Sequence, residues 1–420
     1  MKKGNILIKN ASQIVTCSGN KAKFGKDMSD IHIIENGSVV IEEGIIKAAE
    51  KTEDILGKYD ENNYEVLNLE NKCVLPGFVD SHTHFVFGGY REEEFSWRLK
   101  GDSYMDIMNR GGGIANTVKA TREASREELI GLGKKRLDSM LHFGVTTVEG
   151  KSGYGLDYDT EIKQLEVMKE LNDIHPVDVV STFLGAHAVP AEYKGKQNDY
   201  IDFMIEKVMP YVAENELAEF CDVFCEEGVF SVEESRKILL EAKELGMKLK
   251  IHADEIASLG GAELGAELGT VSADHLLHAS DKGIKDMAER KVVSTLLPTT
   301  AFCLREPFAK GRYMIDNGCG VALATDFNPG SGFTNSIPLI FALSAIYMNM
   351  TIEETITAMT INGAAALDRA DTIGSIDVGK KGDLVVLEYP SYKFLPYNTG
   401  VNIVEKVIKN GVLVYSNGIK

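Results

Sequence analysis

The chain has 420 residues, of which 44% are hydrophobic and 26% charged, and its 45 basic and 63 acidic side chains give a formal net charge of −18. This length predicts one large domain with a smaller accessory domain. The negative charge argues against nucleic acid as a partner, because polyanions are repelled, and apolar runs too short to cross a bilayer predict no membrane partner.

The number and spacing of the cysteines indicate the cellular compartment of the protein. The six cysteines are scattered along the chain, at Cys17, Cys73, Cys221, Cys225, Cys303 and Cys319. They show neither the dense spacing of a disulfide scaffold nor the doubled C-x-x-C of a zinc ribbon. Residues 1–5 lead into a strand-like stretch and do not resemble a secretion signal. We therefore expect reduced thiols and a cytoplasmic location.

Both ends of the chain have the texture of short β-strands. Strand patterns separated by Gly and Asn occupy residues 5–8, 38–42, 44–48 and 64–69 near the start, and 383–388, 404–410 and 412–415 near the end. No long amphipathic helix interrupts them. We expect residues 1–72 and 368–420 to form one composite small β-domain with a β-sandwich architecture.

Residues 73–367 have the alternating texture of an α/β protein. Eight apolar strand candidates cover residues 77–84, 145–151, 179–187, 222–228, 248–255, 272–278, 292–298 and 321–329. Helix-like stretches separate them, for example residues 125–143, 231–245 and 335–367. Eight βα units in succession predict a closed (β/α)8 TIM-like barrel with parallel strands.

Metal-ligating residue types gather at the predicted strand ends, where such barrels carry their chemistry. The first strand ends in the sequence Asp-Ser-His-Thr-His at residues 80–84, and the period of two along a strand points His82 and His84 to one face. His252 ends the fifth strand and Asp326 the eighth. Three imidazoles, one carboxylate and an open position for water predict a catalytic site for one divalent ion, zinc or ferrous iron.

Three side chains near these ligands are candidate catalytic residues. Glu255 lies three residues beyond His252, where its carboxylate would hang over the site, and either Glu255 or Asp326 suits the general base. His275 ends the sixth strand. It suits polarisation of a substrate carbonyl, with a fourth metal ligand or a core histidine as the alternatives.

The segment 76–84, Pro-Gly-Phe-Val-Asp-Ser-His-Thr-His, together with the later strand-end residues, resembles the amidohydrolase superfamily over the whole chain. Many binuclear members of that superfamily carry a metal-bridging lysine at the end of the fourth strand. This chain has Cys-Glu-Glu-Gly at residues 225–228 instead, which favours one metal and leaves the role of Lys151 open. The resemblance implies hydrolysis of a C–N bond by metal-activated water.

Further segments resemble one ring-opening branch of the superfamily, namely residues 87–95, 110–114, 151–156, 183–190 and 325–331. The resemblance implies conversion of 4-imidazolone-5-propanoate to N-formimidoyl-L-glutamate, a step of histidine breakdown. It assigns substrate binding to Arg91, Tyr154, His187, Glu255, Asn328, Gly330 and Ser331. A guanidinium such as that of Arg91 suits the propanoate of this small anionic substrate because it is planar and permanently charged.

Two other functions use the same features. A deaminase of a heterocyclic base would need the same metal ligands and the same glutamate, and a non-catalytic amidohydrolase-like scaffold would need neither. The family resemblance and the long C-terminal helical region predict a homodimer. The glycines at residues 111–113 do not join a strand to a helix as a dinucleotide-binding motif requires, so we interpret them as a substrate-covering loop.

Overall fold

The structure is a computed structural model that describes residues 4–102, 106 and 110–418. Strands from both ends of the chain form one mixed sheet, as predicted for the accessory domain. Its strands are Ile6–Val15, Ile33–Glu42, Ile45–Lys51, Glu65–Asn68, Cys73–Pro76, Leu384–Leu387, Val404–Lys409 and Val412–Ser416. The strand Cys73–Pro76 lies beyond residue 72, so the sheet extends past the predicted boundary.

The long first strand links the strands from both ends of the chain into one hydrogen-bonded sheet. Its first half pairs with Glu65–Asn68 and its second half pairs with Cys73–Pro76, both in parallel. Alternation along the strand buries Ile6 and Ile8 in one apolar cluster and Leu7 in another. The sheet therefore has apolar residues on both faces.

The second sheet is the predicted barrel. Its eight strands run in chain order, each parallel to the next, and are Phe78–Asp80, Val145–Lys151, Asp178–Ala186, Phe220–Cys225, Lys248–Ala253, Ser272–His275, Val293–Leu296 and Gly320–Leu323. All eight predicted strands are confirmed, with ends shifted by a few residues. A parallel bridge between Thr83 and Phe327 joins the ends of the first and eighth strands and closes the barrel.

The barrel strands are linked by helices, many of which start at a capping side chain. The α-helices are Thr52–Leu56, Glu92–Leu99, Ile114–Glu123, Arg126–His142, Tyr158–Ile174, Gln197–Phe203, Met209–Glu214, Val232–Glu244, Gly261–Leu268, Asp281–Arg290, Pro298–Leu304, Gly311–Asp316, Ile337–Ile346, Ile352–Met359, Ile361–Ala365 and Phe394–Tyr397. Short 3-10 turns occupy Gly25–Ser29, Glu61–Asn63 and Ala191–Tyr193, and a π-turn occupies Met204–Val208. Nowhere in the described chain does a helix combine the length and apolar character needed to cross a membrane.

Helix boundaries follow local chemistry. Ser125 and Ser231 form capping boxes with the glutamates three residues later, which fixes the start of two predicted helices. The predicted helical stretch 335–367 is divided into three helices. Thr351 starts the second of them with another capping box, and Thr360 leaves helical geometry with φ −121° and ψ −96°.

A buried ion-pair cluster ties the terminal sheet to the barrel. Nζ of Lys409, on the terminal sheet, lies 2.7 Å from Oδ2 of Asp178 at the start of the third barrel strand. The same ammonium lies 2.6 Å from Oδ2 of Asp383. Lys409 is 1% exposed, so this cluster fixes the two sheets to each other in a water-poor environment.

Candidate active site

The carboxyl ends of the barrel strands bring the predicted metal ligands together. His82 and His84 follow the first strand, His252 lies within the fifth, and Asp326 follows the eighth. The ring centroids of His82 and His252 are 4.5 Å apart, and those of His82 and His84 are 5.4 Å apart. All four side chains are buried, so the strand pattern converges on one centre.

The free nitrogens at this centre fit a divalent ion. Nε2 of His82 and Nε2 of His252 are buried and have no hydrogen-bond partner in the described part of the chain, and Nε2 of His84 lies 3.5 Å from Oδ1 of Asp326. Ligand atoms of His82, His84 and Asp326 lie within 4.8 Å of one another. Burial lowers the pKa values of His82 and His84 well below the usual range, so both imidazoles are neutral. Neutral imidazoles with a carboxylate are the donors that zinc and ferrous iron take.

Two carboxylates behind the histidines fix their orientation. Oδ2 of Asp274 lies 2.7 Å from Nδ1 of His82, and Oδ2 of Asp222 lies 2.9 Å from Nδ1 of His252. A carboxylate at Nδ1 holds the proton there and leaves the lone pair of Nε2 for a metal. This arrangement supports His82 as a ligand through Nε2, whereas Nδ1 of His252 lies close to Asp222 without hydrogen-bond geometry.

Beneath these carboxylates, two buried lysines balance the charge of the barrel interior. Nζ of Lys151 lies 2.8 Å from Glu149 and 2.7 Å from Asp222. Nζ of Lys250 lies 2.7 Å from the other oxygen of Glu149 and donates to the Ser81 carbonyl at 3.1 Å. Burial disfavours the Lys151 ammonium, but Asp222, Glu149 and Asp274 together raise its pKa above the usual range. Lys151 is therefore a cation of the barrel core.

The sequence patterns did not predict most of these buried carboxylates and lysines behind the histidines, although the sequence contained a signal for them. Charged residues alternate on strands that are otherwise apolar, as Glu149 and Lys151 do on the second strand and Lys250 and His252 on the fifth. Residues two apart on a strand face the same way. On strands covered by helices, such a pair must point into the barrel and be matched there by opposite charge.

Asp326 is placed by an unusual backbone and one hydroxyl. Its φ is 48°, and Thr300 donates to its Oδ2 at 2.6 Å. Its Oδ1 lies 3.6 Å from Nε2 of His82 and 3.5 Å from Nε2 of His84. Burial raises the pKa of Asp326 to about 6. The carboxylate therefore has one oxygen held by protein and one facing the histidines.

Glu255 and His275 lie together on the other side of the centre. Oε2 of Glu255 lies 3.6 Å from Nδ1 of His275. The His275 ring is 5.0 Å from that of His252, and its Nε2 has no hydrogen-bond partner in the structure as described. Burial, with Asp326 and Glu226 adding to it, raises the pKa of Glu255 well above its usual range. A carboxyl group whose protonated form is favoured by burial suits proton transfer.

Two of the predicted substrate-binding residues line the side next to His84. The His187 ring stacks on that of His84 at a centroid distance of 4.9 Å, and the Tyr154 ring lies 5.2 Å from His187. Nδ1 of His187 contacts the Gly153 carbonyl at 3.0 Å, which leaves Nε2 free of this contact. Burial lowers the pKa of His187 to about 3, so this imidazole is uncharged.

Arg91 stands at the rim with part of its guanidinium free. Its Nε lies 2.8 Å from Oε2 of the buried Glu94, which also accepts from the backbone N–H of Gly113 at 3.0 Å. Its terminal nitrogens have no hydrogen bond or ion pair within the described residues, and they border a cavity of about 340 Å³. A Cβ at Gly330 would come within 2.2 Å of Nη1. The structure therefore leaves the outer edge of Arg91 for an anion.

The other predicted substrate-binding residues are already engaged in their own loop. Oδ1 of Asn328 accepts from the backbone N–H groups of Gly330 and Ser331, each at 2.8 Å. Its Nδ2 donates to the Asp326 carbonyl at 2.7 Å and to the Ser331 hydroxyl at 3.0 Å. These contacts shape the loop after the eighth strand. A sequence pattern alone does not distinguish such a loop-forming amide from one that faces a ligand.

The predicted substrate-covering loop at residues 111–113 lies within the described residues. Gly111 and Gly113 adopt φ of 83° and 86°, in the left-handed region that favours glycine. Gly113 precedes the helix Ile114–Glu123. Its contact with Glu94 places the end of this loop beside Arg91.

Comparison with known proteins agrees with this geometry. Residues 73–414 match the amidohydrolase family. The chain is 73% identical over 415 residues to the imidazolonepropionase of Clostridium tetani, which covers 99% of both chains. It is 60% identical over 413 residues to the imidazolonepropionase of Parabacteroides distasonis, which covers 98% of this chain and 99% of the relative.

Solved structures confirm the fold. An adenosine deaminase from Xanthomonas campestris with bound zinc superposes with a TM-score of 0.70 at 19% sequence identity, covering 98% of this chain and 93% of that one. The predicted barrel and the predicted family are thus both confirmed. The chain belongs to the amidohydrolase family of hydrolases, and within it to the imidazolonepropionases.

Proposed function

We propose that this barrel mouth hydrolyses the cyclic amide of 4-imidazolone-5-propanoate to N-formimidoyl-L-glutamate, a step of histidine breakdown. The observation that carries the proposal is a buried imidazole–carboxylate centre beside an arginine whose terminal nitrogens are free. The full-length identity to imidazolonepropionases supports the same substrate.

In this proposal the substrate lies between Arg91 and the histidine centre. The propanoate accepts from the terminal nitrogens of Arg91 in a two-point contact. Tyr154 and His187, which are adjacent to each other and to His84, contact the ring or the carboxylate. Gly330 keeps room for the guanidinium, and Asn328 with Ser331 holds the loop that carries Gly330.

Residues of this chain move the protons of the reaction. His82, His84, His252 and Asp326 hold one divalent ion, which when bound supplies an electrophile that makes water nucleophilic near neutral pH. Asp326 accepts the proton of the attacking water, and His275 donates to the carbonyl oxygen on which charge develops. Glu255 delivers a proton to the leaving nitrogen, so that the C–N bond breaks and the carbonyl carbon becomes a carboxylate.

The choice of His275 as a substrate contact follows from its neighbours. His82 and His252 each have an aspartate within 2.9 Å of Nδ1, as metal-bound histidines do. His275 has Glu255 at 3.6 Å instead. Its ring nitrogens also lie within 4.8 Å of those of His82 and His252, so a crystal structure of the metal-loaded enzyme tests whether His275 coordinates.

Zinc and ferrous iron share this donor set, and we propose zinc as the resident ion because neutral imidazoles with a carboxylate and an open position for water are typical of catalytic zinc sites. Elemental analysis of protein purified without added metal tests the choice. A zinc content near one per chain is the expected result, and iron in that amount would contradict it.

The activity is tested by following the absorbance of 4-imidazolone-5-propanoate and the appearance of N-formimidoyl-L-glutamate with purified protein. Turnover is the expected outcome. Release of ammonia from a heterocyclic base without this turnover would favour the deaminase. A protein that binds no metal and turns over no substrate would favour the scaffold.

We further propose a cytoplasmic homodimer. All six cysteines are free thiols, and five of them are buried, which suits a reducing compartment. Ile346 and Tyr347, in the C-terminal helical region, are each 59% exposed and would be covered in a dimer. Sedimentation at micromolar concentration tests the dimer, for which twice the chain mass of 46.0 kDa is expected.

A further inference from the structure

The segment that carries Glu255 has no regular secondary structure of its own. The fifth barrel strand ends at Ala253, and the next helix begins at Gly261. Asp254, with φ of 50°, turns the chain away from the strand. Residues 254–257 form bends outside any strand or helix, and the last backbone hydrogen bond from the sixth strand side before Glu255 joins the N–H of His278 to the Asp254 carbonyl at 2.9 Å.

The backbone immediately after Glu255 is instead held by a side chain from the neighbouring strand. Oε2 of Glu226 accepts from the N–H of Ile256 at 2.9 Å, and Oε1 accepts from the N–H of Ala257 at 3.1 Å. Glu226 directly follows the fourth strand, Phe220–Cys225. One carboxylate thus accepts hydrogen bonds from two successive peptide N–H groups on the segment that carries Glu255.

The surroundings of Glu226 suit this role. The side chain is 1% exposed, and it takes part in no ion pair within residues 4–102, 106 and 110–418. Its Oε1 also accepts from the N–H of Glu227 at 2.9 Å. The cost of burying this charge is therefore offset by three backbone hydrogen bonds.

We propose that Glu226 is a positioning residue that sets Glu255 over the reacting atoms by holding the peptide groups of Ile256 and Ala257. The inference rests on the proposed function, in which Glu255 transfers the proton to the leaving nitrogen. Catalytic geometry tolerates little displacement, because a shift of about 1 Å can cost about a hundredfold in rate. Glu226 therefore acts on turnover without touching the substrate.

The neighbouring Glu227 provides a matched control. It is exposed and its side chain forms no ion pair or hydrogen bond within the described chain, so Glu227→Gln removes the same charge without loosening the segment. In Glu226→Gln, an amide NH2 group replaces one carboxylate oxygen. Because this group is a donor, it cannot accept a hydrogen bond from a backbone N–H. We expect kcat to fall about tenfold or more, KM to stay within about twofold and metal content to be unchanged. Glu227→Gln should match the wild type.

A double-mutant comparison separates positioning from general damage. If Glu226 acts through Glu255, adding Glu226→Gln to Glu255→Gln should change kcat by less than about twofold. An equal loss of kcat in both backgrounds would overturn the proposal, as would a change confined to KM. Glu226→Asp keeps the charge on a shorter side chain, and an intermediate kcat is expected. This variant preserves the test if Glu226→Gln does not fold.

Hydrogen exchange distinguishes failure of this inference from failure of the proposed function, because it requires no turnover. We expect peptides covering residues 255–260 to exchange faster in Glu226→Gln than in Glu227→Gln or the wild type. Unchanged exchange would show that Glu226 does not hold the peptide groups of Ile256 and Ala257 and would overturn the inference. Absence of ring opening by the wild type would instead overturn the function.

Discussion

Nδ1 of the metal-ligand candidate His82 lies 2.7 Å from Oδ2 of Asp274, and both side chains are completely buried. Asp274 precedes His275 on the sixth strand, so it supports His82 across the barrel. Ser272 donates to its other oxygen at 2.6 Å. The orientation of His82 is thus set by residues that do not themselves face the substrate.

Replacement of Asp274 should therefore weaken metal binding. In Asp274→Asn, the amide cannot hold the Nδ1 proton as a carboxylate does, and we expect the metal dissociation constant to rise about 10- to 100-fold. Competition with a chromogenic chelator measures this constant. Ser272→Ala removes only the outer hydrogen bond and should give a smaller rise. Equal metal affinity in Asp274→Asn and the wild type would contradict the account.

Lys151 should be a stability residue. Its ammonium neutralises Glu149 and Asp222 with no exposure to solvent, so Lys151→Met leaves two carboxylates buried without that partner. We expect the free energy of unfolding to fall by about 3 to 5 kcal/mol, as measured by urea denaturation. Lys135→Met, at an exposed position with no ion pair in the described chain, should change it by less than about 0.5 kcal/mol. A similarly small change in Lys151→Met would contradict this role.

Gly330 should control recognition of the anionic substrate. A Cβ at this position would lie 2.2 Å from Nη1 of Arg91 and would displace the guanidinium. We expect Gly330→Ala to raise KM for 4-imidazolone-5-propanoate about tenfold or more, because a charged hydrogen bond contributes about 1.5 to 3 kcal/mol. Steady-state kinetics measures the change. The control is Gly131→Ala, where a Cβ would meet nothing within 4 Å. An unaltered KM in Gly330→Ala would show that Arg91 does not bind the substrate.

The ion pairs of Lys409 predict a defined pH dependence of stability. Burial opposes ionisation of Asp178, but Lys409 and Lys381 lower its pKa below the usual 3.8. The contribution of Asp178 is therefore present above that pH and is lost as the pH falls through the folded-state pKa. Asp383 and Asp178 raise the pKa of Lys409 above 10.5 despite burial. Its contribution is present below that pH and is lost as the pH rises through the higher folded-state pKa.

Lys409→Met tests this cluster. We expect the free energy of unfolding to be about 3 kcal/mol lower than in the wild type between about pH 5 and pH 10, since one buried partner is removed. The difference should begin to shrink below about pH 4, the usual range of an unfolded aspartate, and should shrink further as the pH falls through the lower folded-state pKa of Asp178. Urea denaturation at several pH values measures it. A difference that is constant down to pH 2 would show that packing and not charge is responsible.

The sequence was sufficient to locate the barrel strands and the histidines and aspartate that gather at their ends. His82 and His84 were identifiable because a period of two places them on one face where a strand stops. Asp222 and Asp274 were not, because their partners lie on strands distant in sequence and only barrel closure brings them together. Asn328 shows a different limit, since the direction in which an amide points depends on the turn it forms.

The point where the chain passes from one sheet to the other is less visible in the sequence than the strands themselves. Cys73–Pro76 and Phe78–Asp80 form an almost continuous apolar run, yet they belong to different sheets. The chain passes between the sheets at Gly77, where a Cβ would lie 2.2 Å from Oγ1 of Thr146. Such a close approach depends on the packed structure. In the sequence only the glycine indicates it, because the local hydrophobicity does not change at this position.

The most direct test of one metal at this barrel mouth is a titration of metal-stripped enzyme with zinc. Ring opening of 4-imidazolone-5-propanoate and the amount of bound metal are both measured during the titration, and His252→Ala is titrated in parallel. The account predicts that activity rises linearly and saturates at one zinc per chain. It also predicts that His252→Ala remains inactive and binds zinc weakly. Full activity without metal, saturation only at two zinc ions per chain, or an active His252→Ala variant would contradict it.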